Sequence, residues 1–365
     1  MIRRFARCLF VVLLLAALFV AAPSNADDFA CTDKDPGVHP ITLTVNGQEA
    51  TGHYALPAKT PTALLVYAHG YGYSSLAWAK HMSNAAERGA IAITMDYRGL
   101  RHLGDSNGDG IPESRGFPVI TGAEDSIAAG QMMLAMCPSA ASRTVIFGTS
   151  LGGNIAGMVV ATMPRRADGN PLFDYWFQLE GLSNLTEEYL GARALAGVNA
   201  YAKQAVEDME AETGGPIERR PEEYRRRTVV AHEKEIGASG LKGAVVVHGL
   251  DDGLVPYDQG VQTTSLLVRQ KIPVEFYTIT RRSPESEKDK TLTSYAVEPV
   301  QPNYVSPLPG HAWEASTTHI INRVGFNRLW ELLAGELLGC FRNYIVDAHE
   351  KHMPIYTRTD APCSQ

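Results

Sequence analysis

The stretch Thr144–Gly157, TVIFGTSLGGNIAG, places Ser150 between Gly148 and Gly152, after a β-branched run and before small residues with helical spacing. Gly-x-Ser-x-Gly in that setting fits a strand-to-helix turn that lifts a serine hydroxyl clear of a sheet. A helix N-terminus behind it favours negative charge developing nearby. A serine hydroxyl is a poor nucleophile alone, so a base and an orienting carboxylate must exist elsewhere in the chain. Downstream, LDDGLVP offers Asp251 and Asp252, and PLPGHAWEAS offers His311, in the order serine, acid, histidine. Glu180 ends another apolar run, where an acid of this kind can also stand, and His319 and His232 are less well placed rivals to His311. His69 and His248 each precede a glycine at an expected strand end and read as loop-shaping residues.

A second cluster, DSNGDGIPES, carries Asp105, Asn107 and Asp109 at every second position, followed by Gly110. That is the front half of a calcium loop, to which the Ile111 carbonyl and the Glu113 carboxylate could add ligands. Gly116 stands where an EF-hand needs glutamate, so a standard EF-hand is excluded. An ion here would brace a loop and take no part in chemistry.

The elements that must position these residues follow from hydrophobic periodicity. ITLTVNGQEATGHYAL reads as a hairpin around Asn46-Gly47. Short apolar runs follow at Ala63–His69, Ala90–Asp96, Thr144–Gly148, Asp174–Glu180, Gly243–Gly249 and Ile272–Ile279. Helical patterns occupy Ala77–Glu87, Glu124–Met136 and Thr317–Phe341. Strands alternating with helices predict a mainly parallel, doubly wound α/β sheet with an antiparallel N-terminal hairpin. Ligands of such sheets bind beyond the carboxyl ends of the strands, where each chemical cluster falls. The charged, helix-rich stretch 182–241 has no strand pattern and is expected as a helical lid over the site. Thr280–Thr291, TRRSPESEKDKT, reads as a solvated loop.

Composition bounds the function. The chain has 365 residues, 45% apolar and 20% charged, an ordinary globular balance. Its net charge of −7 argues against a nucleic-acid partner. Residues 1–26 combine Arg3, Arg4 and Arg7 with an apolar core and a Ser24-Asn25-Ala26 cleavage site. That predicts a signal peptide, an exported domain over 27–365 and no lasting membrane span. Four cysteines then remain (Cys31, Cys137, Cys340 and Cys363), suggesting two disulfides with three pairings open.

Taken together, these motifs resemble the α/β-hydrolase superfamily from about Ile41 to the C-terminal helix. HGLDDGLVP is similar to that family's acid loop, GHAW to its histidine loop, and YAHGYG (67–72) to its oxyanion loop. The resemblance implies that Asp252, rather than Asp251, is the triad acid, and that Tyr71 and Leu151 supply the oxyanion N–H donors. Tyr73, Trp78 and Trp313, with Tyr71, are candidates to line an acyl pocket. The chain looks closest to secreted esterases and to the catalytic domains of prolyl-oligopeptidase-like enzymes. The expectation is an exported carboxylic-ester hydrolase acting on small or polymeric esters through an acyl-enzyme, without an organic cofactor. A prolyl-oligopeptidase-like peptidase is the alternative enzyme, and an inactive hydrolase fold kept for binding is the non-enzyme reading.

Overall fold

A computed structural model describes residues 20–21, 30–35, 37–280, 310–346 and 352–357. Of the expected leader, only β1 (Val20–Ala21) is described, pairing antiparallel with β2. The rest of the leader, most of the Thr280–Thr291 loop and Cys363 lie outside the described residues.

The N-terminal hairpin forms as its sequence requires. Strands β2 (His39–Val45) and β3 (Gln48–Ala55) pair antiparallel with Val45 opposite Gln48. Asn46 and Gly47 turn the chain at φ values of 51° and 77°, the left-handed pair that a two-residue hairpin needs. Next come β4 (Ala63–Ala68), α1 (Ala79–Glu87) and β5 (Ala90–Met95). A small hairpin of β6 (Arg101–Gly104) and β7 (Glu113–Arg115) precedes α2 (Val119–Met136), β8 (Thr144–Thr149) and α3 (Leu151–Ala161). Strand β9 (Tyr175–Leu179) leads into α4 (Leu185–Leu195), α5 (Ala200–Thr213), α6 (Pro221–Arg226) and α7 (Glu233–Gly237). The chain continues through β10 (Gly243–Gly249), α8 (Tyr257–Arg269), β11 (Val274–Ile279), α9 (Ile320–Ala334), β12 (Arg342–Val346) and β13 (His352–Thr357).

Among the described residues, eleven strands make one sheet in the order β1-β2-β3-β5-β4-β8-β9-β10-β11-β12-β13. The run β5-β4-β8-β9-β10-β11-β12 is parallel throughout, with antiparallel strands at both margins. Alternation sorts the core residues. Leu64, Val66, Ile146 and Val246 belong to one buried cluster with α2 and α3. Leu65, Tyr67, Phe147 and Val247 point the other way, into a second cluster with α1 and α9. Both faces are therefore covered, which is why the central strands read as unbroken apolar runs.

Two boundaries differ from the sequence expectation. The last helix ends at Ala334 because Gly335 adopts the left-handed conformation at φ 107° and stops it. Just beyond the expected helix, Arg342–Val346 adds a strand to the sheet beside β11. Helix α2 begins at Val119, five residues before its strongest helical pattern.

Cys31 and Cys137 form a disulfide that joins the segment before β2 to the end of α2, 106 residues apart. Cys340 is also disulfide-bonded. Closing a loop this long restricts the unfolded chain. Replacing Cys31 and Cys137 together by serine should lower stability by about 2–4 kcal/mol, read as an earlier midpoint in denaturant unfolding.

Candidate active site

Ser150 stands between β8 and α3 at φ 57° and ψ −127°, a conformation that costs a non-glycine residue about 1–3 kcal/mol. The flanking glycines let the turn close. A Cβ at Gly148 would collide with the Gly152 carbonyl, and one at Gly152 with the Ala68 carbonyl beneath it. Gly153 lies against the Cα of Gly181 in the same way. The turn is locked to β9 by the Ser150 N–H, which donates to the Leu179 carbonyl at 3.2 Å. Leu151 opens α3, so its N–H belongs to the first turn, which has no acceptor within the helix.

The acid and the base meet across 59 residues. His311 Nδ1 donates to Asp252 Oδ2 at 2.8 Å, both side chains being buried. Asp252 is itself fixed by its own loop, its Oδ1 accepting the N–H groups of Leu254 at 2.9 Å and Val255 at 3.0 Å. His248 shapes that loop, with Nε2 bonded to the Val255 carbonyl at 2.9 Å and 3.4 Å from Asp252 Oδ2. Burial alone would push the Asp252 carboxyl up. The charge of His311 and hydrogen bonds from His248 and His311 outweigh it and hold the group below the usual carboxylate range. Asp251, its neighbour in sequence, is exposed.

Glu180, at the end of β9, brings a second carboxyl to the same histidine. Its Oε2 lies 3.6 Å from His311 Nδ1 and accepts the Ala312 N–H at 2.5 Å. Burial, and then the charge of Asp252, push the Glu180 carboxyl well above its ordinary range. Two carboxylates against one imidazole cannot both hold full charge cheaply, and the two groups shift accordingly, Asp252 downward and Glu180 upward. Burial opposes charge on His311, but Asp252 and Glu180 together hold its imidazole above its ordinary value. Glu180, Asp252 and His311 are the one group of three such residues, among those described, whose ligand atoms lie within 4.8 Å of one another.

A cavity of about 140 Å³ opens onto Ser150, lined also by Tyr71 and Leu151. Its walls come from Phe117, Leu182 and the stretch Gly253–Pro256, and from α4 and α5 through Glu188, Leu195, Tyr201 and Met209. The sequence did not single out these α4 and α5 residues, because their helical spacing marks a buried face without saying what it covers. Trp78 is a correction. It is fully buried in the core face with α1 and α9, stacked on Tyr67 at 5.0 Å, because it ends the short helical turn that packs against β4. Tyr73 and Trp313 face each other at 6.1 Å between ring centroids and do not figure in the lining of this cavity. His232 bonds the Arg226 carbonyl, and His319 caps α9.

Asp105, Asn107, Asp109 and Glu113 lie on the β6–β7 turn, where each side chain accepts N–H groups of the turn itself. Asp105 takes Gly108 and Gly110, Asn107 takes Asp109, Asp109 takes Ile111, and Glu113 takes Ser106. The hairpin they close reaches the loop after β4, since Ser114 N–H donates to the Gly72 carbonyl at 3.0 Å and Ser114 Oγ to the Tyr73 carbonyl at 2.6 Å.

The uncomplexed acylaminoacyl peptidase of Pyrococcus horikoshii aligns with a TM-score of 0.50 and 19% identity, over 67% of this chain and 37% of that one. A puromycin hydrolase structure aligns at 0.49 and 18%, over 68% and 36%. At 19% identity the first of these speaks to the fold alone, and the chain spans little more than a third of the length of either structure. No curated protein matches the chain. The family model described as the prolyl oligopeptidase family matches residues 76–290, more than half of the chain and a span that contains Ser150 and Asp252. The chain therefore belongs to the prolyl oligopeptidase family, serine hydrolases built on the α/β-hydrolase fold.

Proposed function

We propose that this protein is an exported serine peptidase that cleaves amide bonds through an acyl-enzyme on Ser150. The observation that carries the choice of amide over ester is the family match across residues 76–290, which favours the peptidase alternative over the ester hydrolase expected first. The local geometry supports the chemistry. Asp252 holds the Nδ1–H of His311, which leaves Nε2 to take the Ser150 proton as the hydroxyl attacks the carbonyl. The N–H groups of Tyr71 and Leu151 receive the oxyanion, His311 returns the proton to the leaving amine, and water releases the acyl group.

The cavity's chemistry limits the acyl group. Its lining contains Glu187 and Glu188 but no lysine, arginine or histidine, so it offers no cation to pair with an acidic acyl group. Burial, helped by the Asp252 charge, pushes Glu188 up to about 8. Helices α4–α7 form a lid in this reading. Asp208 on α5 fastens it: Asp208 accepts the Tyr71 hydroxyl at 2.5 Å and a two-pronged bond from Arg115 at 2.8 and 2.9 Å. Opening must break that contact. No step is assigned to a metal; calcium on the Asp105–Glu113 turn would brace the β6–β7 hairpin.

The test is a panel of aminoacyl-p-nitroanilides beside p-nitrophenyl esters from acetate to palmitate. Amide cleavage should appear, with activity falling off for long acyl chains. Turnover of the esters with no amide cleaved at any length would overturn the peptidase reading and restore the ester hydrolase.

A further inference from the structure

The loop after β4 is held by hydrogen bonds to its backbone at His69 and Gly70. The peptide between His69 and Gly70 is bound at both ends. Tyr97 Oη donates to the His69 carbonyl at 3.1 Å, and the Gly70 N–H donates to Glu314 Oε1 at 2.6 Å. In the next peptide, His69 Nδ1 bonds the Gly70 carbonyl at 3.0 Å. Burial pushes the His69 imidazole down to about 4, so at neutral pH the ring is uncharged and its Nδ1 proton serves that carbonyl. A planar peptide points its C=O and N–H in opposite directions, so fixing the Gly70 carbonyl aims the Tyr71 N–H.

Glu314 is the long-range member of this set, 244 residues from Gly70 in sequence and three after His311. It is 1% exposed, and its second oxygen, Oε2, has no partner among the described residues. A carboxyl is not buried this way for packing, since leaving one oxygen unbonded costs stability. Its position explains Gly70 as well. A Cβ there would collide with Glu314 Oε1 and stand 3.3 Å from the Cβ of Ser150. Glycine at 70 and glutamate at 314 are thus required together, beside the nucleophile.

We propose that Glu314 is a positioning residue for the oxyanion hole: by accepting the Gly70 N–H it ties the histidine loop to the oxyanion loop and fixes the Tyr71 amide toward Ser150. This rests on Ser150 as nucleophile and Tyr71 as donor, but not on the bond the enzyme cleaves. Burial pushes Glu314 up to about 7. Either protonation state leaves Oε1 free to accept, which makes glutamine an adequate replacement. Aspartate keeps the charge but is one methylene too short to reach.

The test compares Glu314→Gln with Glu314→Asp by the rate at which a fluorophosphonate labels Ser150, a reaction that needs the oxyanion hole and no knowledge of the substrate. Glu314→Gln should label within about threefold of the wild type. Glu314→Asp should label about 10- to 100-fold more slowly, less than the roughly 10²–10³-fold that follows outright removal of an oxyanion donor. On any substrate turned over, the loss should appear in kcat with KM little changed, and melting temperatures of the two variants should not track it. Equal labelling by Glu314→Asp and wild type, or equal slowing in both variants, overturns the proposal. A wild type that is not labelled at all would instead remove the Ser150 reading beneath it, and amide inertness with normal labelling would remove only the peptidase reading.

Discussion

Ser150→Ala should abolish turnover of every substrate in the panel while leaving the protein folded. Removing the nucleophile of a serine hydrolase costs about 10⁶-fold in kcat, with a residue of background rate from the rest of the site. The structure makes this a clean experiment. The Ser150 backbone, not its side chain, carries the local hydrogen bonds: its N–H reaches Leu179, and its carbonyl accepts the N–H groups of Gly153 at 2.9 Å, Leu182 at 3.1 Å and Asn154 at 3.3 Å. Alanine keeps all four and suffers the same φ of 57°, so the melting temperature should move by no more than a few degrees. Loss of activity with an unchanged melting curve assigns the chemistry to the hydroxyl. Retained activity would mean that the strained turn presents a serine for no catalytic purpose, and the catalytic reading would fall with it.

Much of this site is legible in the sequence because its parts are local. The glycines at 148 and 152 declare the turn, since a side chain at 148 would strike backbone four residues on, and one at 152 the neighbouring strand β4. The acid loop is equally self-contained: Asp252 caps its own turn through Leu254 and Val255, and His248 closes it on Val255. The parallel order of strands is written in the alternation of apolar runs and helices. Trp78 was misplaced because an aromatic near a catalytic loop looks the same in sequence whether it turns toward the cleft or into the core. The contributions of Glu180 and Glu314 as loop fasteners depend on pairings 132 and 244 residues apart, to Ala312 and Gly70. No spacing within one segment encodes those. The β6–β7 hairpin and β12 were missed for a related reason, being short strands whose pairing partners, not their composition, define them.

Asp252→Asn should cut kcat/KM by about 10³–10⁴-fold, or about 4–5.5 kcal/mol, whereas Asp251→Asn should change it by no more than a few fold. The difference follows from geometry, since Asp252 receives the His311 Nδ1–H and Asp251 is exposed. An amide at 252 can turn a donor toward Nδ1, which selects the wrong imidazole tautomer and removes the charge that steadies the imidazolium. Glu180 should hold part of the loss back. Burial and the Asp252 charge push its carboxyl above the ordinary range in the wild type. Once that charge is gone, Glu180 ionises more readily at 3.6 Å from the same nitrogen and takes over part of the role. The double variant Asp252→Asn/Glu180→Gln should therefore lose at least a further tenfold beyond the sum expected from the two singles, a coupling that a double-mutant cycle reads directly. Glu180→Gln alone should cost far less than Asp252→Asn, because it leaves the charged partner in place. If Glu180→Gln proved the more damaging single change, the acid would be the one at the end of β9, and Asp252 would be a loop cap that stands near the histidine. If Asp251→Asn did so, the acid loop would be read one residue out of register.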